Sequence, residues 1–228
     1  NTNIPVSMEI SSRIPTTLTL TFNAIIIAII IGIPIGIISA LNQYSWVDTI
    51  SLGTALLLTS MPGFWLGLML MIFFSVKLDL LPVTGADTWV HFILPSITLS
   101  SGTMAVLMRM TRTTMLEVIR QDYIRTAEAK GATEFSVIFR HALRNALLPV
   151  VTVIGINFGI LMGGAIIIEN VFAIPGIGSL LINSVKSKDI PVVMGIVLFI
   201  AIVTSIINLL VDIIYTYIDP RTKTQLSR

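Results

Sequence analysis

Five long stretches of the sequence contain no charged residue, and they constrain the fold more than any other feature. They are Ile14–Val47, Thr49–Val76, Phe92–Met108, Asn145–Ile168 and Ile190–Val211. A bilayer core needs roughly 20 apolar helical residues, and the apolar runs here are continuous, unlike the alternating pattern of barrel strands. We therefore predict an all-α polytopic membrane protein. Its five transmembrane helices are expected at Leu18–Leu41, Ile50–Val76, Phe92–Met110, Ala146–Ile168 and Pro191–Tyr215.

The composition supports lipid as the main solvent of the chain. Only 11% of its 228 residues are charged, whereas a soluble domain has about 25%. The net charge of +2 gives no general attraction to nucleic acid. There is no cysteine, and the two histidines, His91 and His141, are far apart, so we expect no metal site.

Lysine and arginine predict the orientation. Seven of the 14 lie between Arg109 and Arg144, and the C-terminal tail adds Arg221, Lys223 and Arg228. We therefore place both regions in the cytoplasm, which puts the N-terminal segment, residues 1–17, outside. The predicted membrane domain is 18–217, with a cytoplasmic loop at 111–145, and the cytoplasmic tail is 218–228. An outside N-terminus favours one further upstream span, six in the full protein. A natural five-span protein remains the alternative.

The loop between spans 3 and 4 has the signals of a helix–glycine–helix elbow. Residues 112–130 contain no proline or glycine, which favours one helix there. Gly131 can end that helix in a left-handed conformation. Thr133 can then cap a second helix, Glu134–Asn145. Docking to a partner and simple attraction of a basic loop to lipid headgroups both remain open from these residues alone.

Four residues are candidates for a substrate path. Pro62 and the nearby Trp65 belong to a proline-containing segment of span 2, where a bend can open a path. Asn157 is polar within span 4, and Glu169 is an acid at its end. The alternatives are a packing kink for Pro62, a bond to a neighbouring helix for Asn157, and satisfaction of Glu169 by water or lysine.

Glycines in span 4 and in the loop after it indicate close packing. Gly155, Gly159 and Gly163 repeat every fourth residue, which predicts a face that another helix approaches closely, in this chain or another. The segment Phe172–Gly178 contains a proline and two glycines and predicts a compact turn. That turn either packs over the mouth of a pathway or simply connects two spans.

The elbow motif resembles a known family. Arg125-Thr126-Ala127-x-x-x-Gly131 is similar to the Glu-Ala-Ala-x-x-x-Gly loop of ABC importer permeases, with arginine in place of glutamate. The peptide and nickel branch is resembled most closely. Further motifs that resemble this branch are Pro62–Gly67, Leu81–Gly85, Arg140–Pro149, Glu169–Gly178 and Asp219-Pro220-Arg221.

The resemblance implies that the elbow couples this chain to an ATPase. The residues carried over by the motif and its flanks are Arg125, Thr126, Ala127, Glu128, Ala129, Lys130, Gly131, Ala132 and Thr133. Implied partners are a second permease, two cytoplasmic ATPase subunits that use ATP and Mg²⁺, and an extracytoplasmic binding protein in a bacterial inner membrane. The chain itself has no Gly-x-x-x-x-Gly-Lys-Ser/Thr loop, so we expect no ATP hydrolysis and no cofactor here.

The cargo expected from the resemblance is a peptide, nickel or a metal chelate. The sequence of the segment Glu169–Gly178 slightly favours nickel. A gated channel or a secondary transporter, each without an ATPase partner, remains the alternative function. A secondary transporter typically has internal repeats and charges at the membrane midplane, and we find neither in this sequence.

Overall fold

The computed structural model describes the backbone of residues 5–218 and the side chains of residues 5–211 and 213. Within that range the regular elements are all helical, which confirms the predicted class. The α-helices are α1 Val6–Leu41, α2 Trp46–Ser60, α3 Gly63–Leu70, α4 Ile93–Ile119, α5 Asp122–Ala129, α6 Glu134–Ser136, α7 Leu143–Val171, α8 Ile177–Lys186 and α9 Ile190–Ile218. A 3-10 turn, Trp89–Phe92, precedes α4, and π-helical turns at Met71–Lys77 and Val137–Ala142 extend α3 and join α6 to α7.

Four helical segments of the described range are long and apolar enough to cross a membrane on their own. They contain α1, α4, α7 and α9. The fifth predicted span is different, because α2 and α3 with its π-helical extension form one pair bent by 104°. The break falls at Pro62, which has extended ψ of 130° and no amide hydrogen to continue α2. The count of five therefore holds only if this bent pair is one span, and the prediction of a continuous helix over Ile50–Val76 is wrong.

Among the other helix ends, the start of α1 and the end of α4 differ most from the prediction. Helix α1 begins at Val6, not Leu18, and passes through Pro15 and Pro34 without a break. The segment 1–17, predicted to lie outside the membrane, is thus helical from Val6 onward. Helix α4 runs to Ile119, well past the predicted end at Met110. The proposed tail 218–228 lies outside the described residues, apart from Ile218.

The contact between α1 and α4 is the most extensive helix pair and uses two glycines of α1. A Cβ on Gly32 would lie 2.8 Å from the Met104 carbonyl oxygen, and one on Gly36 would lie 2.6 Å from that of Met108. The two backbones therefore approach too closely for any side chain at these positions. Helices α1 and α4 therefore form the centre of the bundle, and α2, α3 and α7 also pack against this pair.

The glycine face of α7 packs against a helix of the same chain. A Cβ on Gly155 would collide with Val211 of α9, and one on Gly159 would lie 2.8 Å from Thr204 Cγ2. Gly163 has open space where its Cβ would be. The predicted close approach is thus found at two of the three glycines.

The elbow has two helices before Gly131, not one. Helix α4 ends at Ile119, Gln121 has extended backbone, and α5 begins at Asp122, so the prediction of one helix over 112–130 is wrong. Gly131 has a φ of +80°, as predicted from its role as a helix terminator. Thr133 caps α6 by accepting a hydrogen bond from the Ser136 amide, also as predicted. The helical path then continues through Asn145 into α7.

Candidate functional site

A groove of about 560 Å³ opens between the bent pair α2–α3, helix α4 and helix α7. The bend at Pro62 forms one wall, because it turns the end of α2 away from the start of α3. The residues that line the groove are Leu58, Thr59, Met61, Pro62, Gly63, Phe64, Thr98, Leu99, Ser101, Gly102, Thr103, Val106, Asn157, Ile160, Leu161, Gly164, Ile167 and Ile168.

The side chains that line this groove are uncharged, and its polar groups are hydroxyls and one amide. Thr103 donates its hydroxyl to Asn157 Oδ1 at 3.3 Å, and Asn157 Nδ2 donates to the Val153 carbonyl at 2.8 Å. Asn157 therefore joins α4 to α7 at the groove wall. The hydroxyls of Thr59, Thr98 and Ser101 donate to backbone carbonyls of their own helices. Their oxygens can still accept hydrogen bonds from a polar molecule, and no charged side chain binds it strongly.

The structure brings two of the four predicted path residues together and separates the other two. Pro62 and Asn157 both line the groove. Trp65 is 42% exposed on α3 but is not part of the lining. Glu169 is fully buried near the end of α7.

The carboxyl group of Glu169 joins three helices at the end of the molecule opposite the elbow. Thr17 of α1 donates its hydroxyl to Oε1 at 2.5 Å. The amides of Gly178 and Ser179, in the first turn of α8, donate to Oε2 at 2.7 and 3.1 Å. Ile177 in turn donates its amide to the Thr17 hydroxyl at 2.8 Å. An acid at a helix N-terminus is stabilised by the free amides and the helix dipole.

The loop before α8 is shaped by this carboxyl group. A Cβ on Gly176 would collide with the Glu169 carboxyl, and one on Gly178 would collide with the backbone of Ile166. Phe172 and Ile174 of the same loop are buried in the apolar core. The loop therefore packs inward on α7, which is more than an ordinary connector requires.

At the other end, a single buried side chain anchors the exposed elbow helix α5. Ile124 is 1% exposed and packs in a cluster with Ile37, Met115 and Val137 from α1, α4 and the turn before α7. The nine predicted coupling residues, 125–133, are exposed except for Ala127 and Ala132, which are half-buried. Asn145 Nδ2 donates to the Tyr123 hydroxyl at 3.0 Å and closes the elbow.

The elbow also carries a shallow hollow of about 430 Å³. Its lining is Tyr123, Thr126, Ala127, Lys130, Gly131, Ala132 and His141. Five of these seven positions belong to the predicted coupling residues. The hollow and the exposed face of α5 together form a projecting surface that a partner can contact from the side of the molecule opposite Glu169.

A buried ion pair lies beside the elbow. Arg112 of α4 donates from Nε to Asp48 Oδ1 at 2.6 Å and from Nη2 to Oδ2 at 2.7 Å. Asp48, in the first turn of α2, is 4% exposed. It also accepts from the Ser39 hydroxyl at 2.6 Å and the Tyr44 amide at 2.9 Å. These four bonds tie the ends of α1, α2 and α4 together.

A family model described as "Binding-protein-dependent transport system inner membrane component" matches residues 32–224. The chain belongs to this family. The match includes the groove, the elbow and the Glu169 loop, so each of these features is part of a permease. The resemblance inferred from the elbow motif is confirmed.

Curated relatives of the permease agree with that assignment. It is 47% identical over 216 residues to the glutathione transport system permease protein GsiC of Pectobacterium atrosepticum. It is 45% identical to the protein of the same name from Escherichia coli strain K12. Each alignment covers 95% of this chain and 71% of the relative.

Solved structures share the fold of the permease at lower sequence identity. A structure of the MetNI methionine ABC transporter in an inward-facing conformation aligns with a TM-score of 0.79 and 20% identity, covering 93% of this chain and 97% of that one. An amino acid ABC transporter with histidines aligns with a TM-score of 0.69 and 15% identity, covering 92% and 94%.

Sequence reasoning missed three contact residues of the permease: Thr17, Asp48 and Ile124. Asp48 had a usable signal, because it is the single charge between Ile14 and Val76 and a charge at that position requires a partner. Thr17 had none, since its partner Glu169 is 152 residues away. Ile124 is the one large aliphatic residue of α5, which is too little to specify a face.

Proposed function

We propose that this permease is one half of the membrane pathway of an ATP-driven importer in a bacterial inner membrane. It pairs with a second, homologous permease. Two cytoplasmic ATPase subunits bind ATP and Mg²⁺, and an extracytoplasmic binding protein delivers the cargo. The permease itself performs no chemistry and moves the cargo by changing conformation.

The observation that carries this proposal is the exposed elbow formed by α5, Gly131 and Thr133. Its outer face is exposed, whereas Ile124 on its inner face packs on the ends of α1, α4 and the start of α7. A force applied to α5 therefore reaches helices α4 and α7, which border the groove. ATP can bias such a two-state element only through contacts that differ between its states, and the elbow offers the surface for those contacts.

The distribution of basic residues supports the orientation. The elbow region contains seven of the 14 lysines and arginines, which favours the cytoplasm for that end. Glu169 and the start of α8 then lie on the extracytoplasmic side, where the binding protein docks. Residues 125–133 are the proposed contact with the ATPase, and Pro62 and Asn157 are the proposed contacts with cargo.

Peptides are the cargo class that we favour. Both curated relatives reported above are named as glutathione transporters, and glutathione is a tripeptide. The hydroxyl and amide groups of the groove suit the amides of a peptide, which exchange one set of hydrogen bonds for another as they pass. This choice replaces the slight preference for nickel drawn from the sequence.

The test is uptake of labelled glutathione into proteoliposomes that contain the complete assembly. We expect uptake to require ATP and the binding protein. Gly131→Trp should lower uptake per ATP hydrolysed about tenfold, in the usual range of coupling energies. We expect this effect from backbone strain, since Gly131 has a φ of +80° that a tryptophan rarely adopts. A steric clash is excluded as the cause, because a Cβ at this position would meet nothing within 4 Å.

The matched control is Gly53→Trp on α2, where a Cβ also meets nothing within 4 Å and φ is not positive. Uptake per ATP should stay near the parental value in this variant. Uptake without the ATPase subunits would instead favour a channel or a secondary transporter. Normal coupling in an assembled Gly131→Trp complex would contradict the role of the elbow.

A further inference from the structure

We propose that Asp48 and Arg112 are positioning residues that make helix α2 move together with helix α4, so that both walls of the groove respond to the elbow. The inference rests on the proposed function in one respect, that the elbow is the point where force enters. The pairing itself is a matter of geometry.

The two residues join the groove walls at the elbow end. Asp48 is at the start of α2, and the other end of α2, at Leu58 and Thr59, lines the groove. Arg112 is on α4, between the groove residues 98–106 and Ile119, where the elbow begins. A movement of α5 reaches α4 through the chain itself. It reaches α2 only through contacts between helices.

The apolar contact between α2 and α4 is small and by itself holds the two helices together only weakly. The apolar cluster between them is built around Ala55, Ala105 and Met108, and two alanines bury little surface. Most of the other side chains of α2 are exposed. The ion pair supplies what this contact lacks, because two parallel hydrogen bonds between a guanidinium and a carboxylate fix direction as well as distance.

The ion pair is braced so that it cannot swing freely. Ser39 at the end of α1 and the Tyr44 amide in the turn hold the same two carboxylate oxygens. Gly36, three residues before Ser39, is in close backbone contact with α4. Asp48 is therefore held from both sides, by α1 and by α4. The expected effect of the pair is that α1, the start of α2 and α4 move as one body.

The experiment measures the distance between spin labels at Thr59→Cys on α2 and Gly102→Cys on α4. The chain contains no cysteine, so these are its only labelled sites. Thr59 is exposed, and a Cβ at Gly102 meets nothing within 4 Å. In the assembled complex without nucleotide, we expect a narrow distance distribution for the parent and a clearly broader or shifted one for Asp48→Asn.

The control for this change is Glu117→Gln, another acid-to-amide substitution, at an exposed position of α4. It should leave the distribution as narrow as in the parent. If Asp48→Asn fails to assemble, Arg112→Lys replaces it, since lysine keeps the charge but cannot form both parallel bonds. An unchanged distribution in the variant that assembles would overturn the inference, whereas a broader or shifted distribution in that variant supports it.

A second measurement connects the pair to transport. With glutathione as the probe, uptake per ATP hydrolysed should fall about fivefold or more in Asp48→Asn, while ATP hydrolysis continues. Normal uptake per ATP in that variant would contradict the inference. Absence of ATP hydrolysis in the parental assembly would contradict the proposed function instead. The label distances, recorded without nucleotide, would still test the ion pair.

Discussion

Among the side chains that the structure describes, one carboxyl group is buried at each end of the helix bundle, and the two are stabilised in different ways. Asp48, at the elbow end, is paired with the guanidinium of Arg112. Glu169, at the opposite end, is held by a hydroxyl and two backbone amides. Helix α1 contacts both through Ser39 and Thr17, which places the sites roughly 33 Å apart at 1.5 Å per residue.

The difference has an energetic consequence. Removing one member of a buried ion pair leaves an uncompensated charge, which is among the most costly changes in a protein. Neutral donors around a carboxyl group leave no charge of their own behind when the acid is replaced. The elbow end should therefore depend strongly on charge, whereas the opposite end should depend on the geometry of its hydrogen bonds.

The largest effect is expected from Arg112→Met, which leaves the Asp48 carboxylate buried without its cation. The free energy of unfolding should fall by about 3–5 kcal/mol, measured by detergent-induced unfolding of the purified permease in mixed micelles. The control is Arg109→Met, at an exposed position of the same helix. If both variants lost the same amount, the ion pair would have no special role.

An intermediate effect is expected from Thr17→Val, which keeps the side-chain shape and removes the hydroxyl. The Glu169 Oε1 atom loses its donor and the Ile177 amide loses its acceptor. Unpaired buried groups of this kind cost about 1–3 kcal/mol in the same unfolding measurement. Thr17→Ser keeps the hydroxyl and should recover most of that loss. Equal losses for valine and serine would point to packing of the methyl group instead.

The smallest of the three effects is expected from Glu169→Gln. The amide oxygen can accept both α8 amides, and the amide nitrogen can donate to the Thr17 hydroxyl. The cost should be about 1 kcal/mol, well below that of Arg112→Met. A loss as large as that of Arg112→Met would show that the charge of Glu169 matters, and the contrast between the two ends would be wrong.

Local signals in the sequence were enough to predict much of the fold. The charge-free stretches indicate where the spans lie, because charged side chains are excluded from the lipid core whatever the neighbouring helices are. Gly131 and Thr133 were assigned their backbone roles correctly, since a left-handed terminator and an N-cap depend only on residues a few positions away. The break at Gln121 had no such signal, because neither glycine nor proline stands there.

The candidate site was harder to predict, since its residues are distant in sequence. Pro62 suggested a bend, but a proline alone does not reveal whether a helix is kinked or turns by 104°. The pairs Asp48–Arg112 and Thr17–Glu169 span 64 and 152 residues. Such contacts follow from how the helices pack, which periodicity and composition do not determine. For Glu169, the acid was found in the sequence but its partners were not.

The bend at Pro62 has a consequence for hydration of the permease. Because residue 62 is proline, the main-chain carbonyl of Leu58 cannot receive the hydrogen bond that normally continues a helix. At membrane depth, such an oxygen is tolerated only where protein or water satisfies it. Leu58 lines the open groove. Water that enters the groove can therefore hydrogen-bond with this carbonyl, which an acyl chain cannot do.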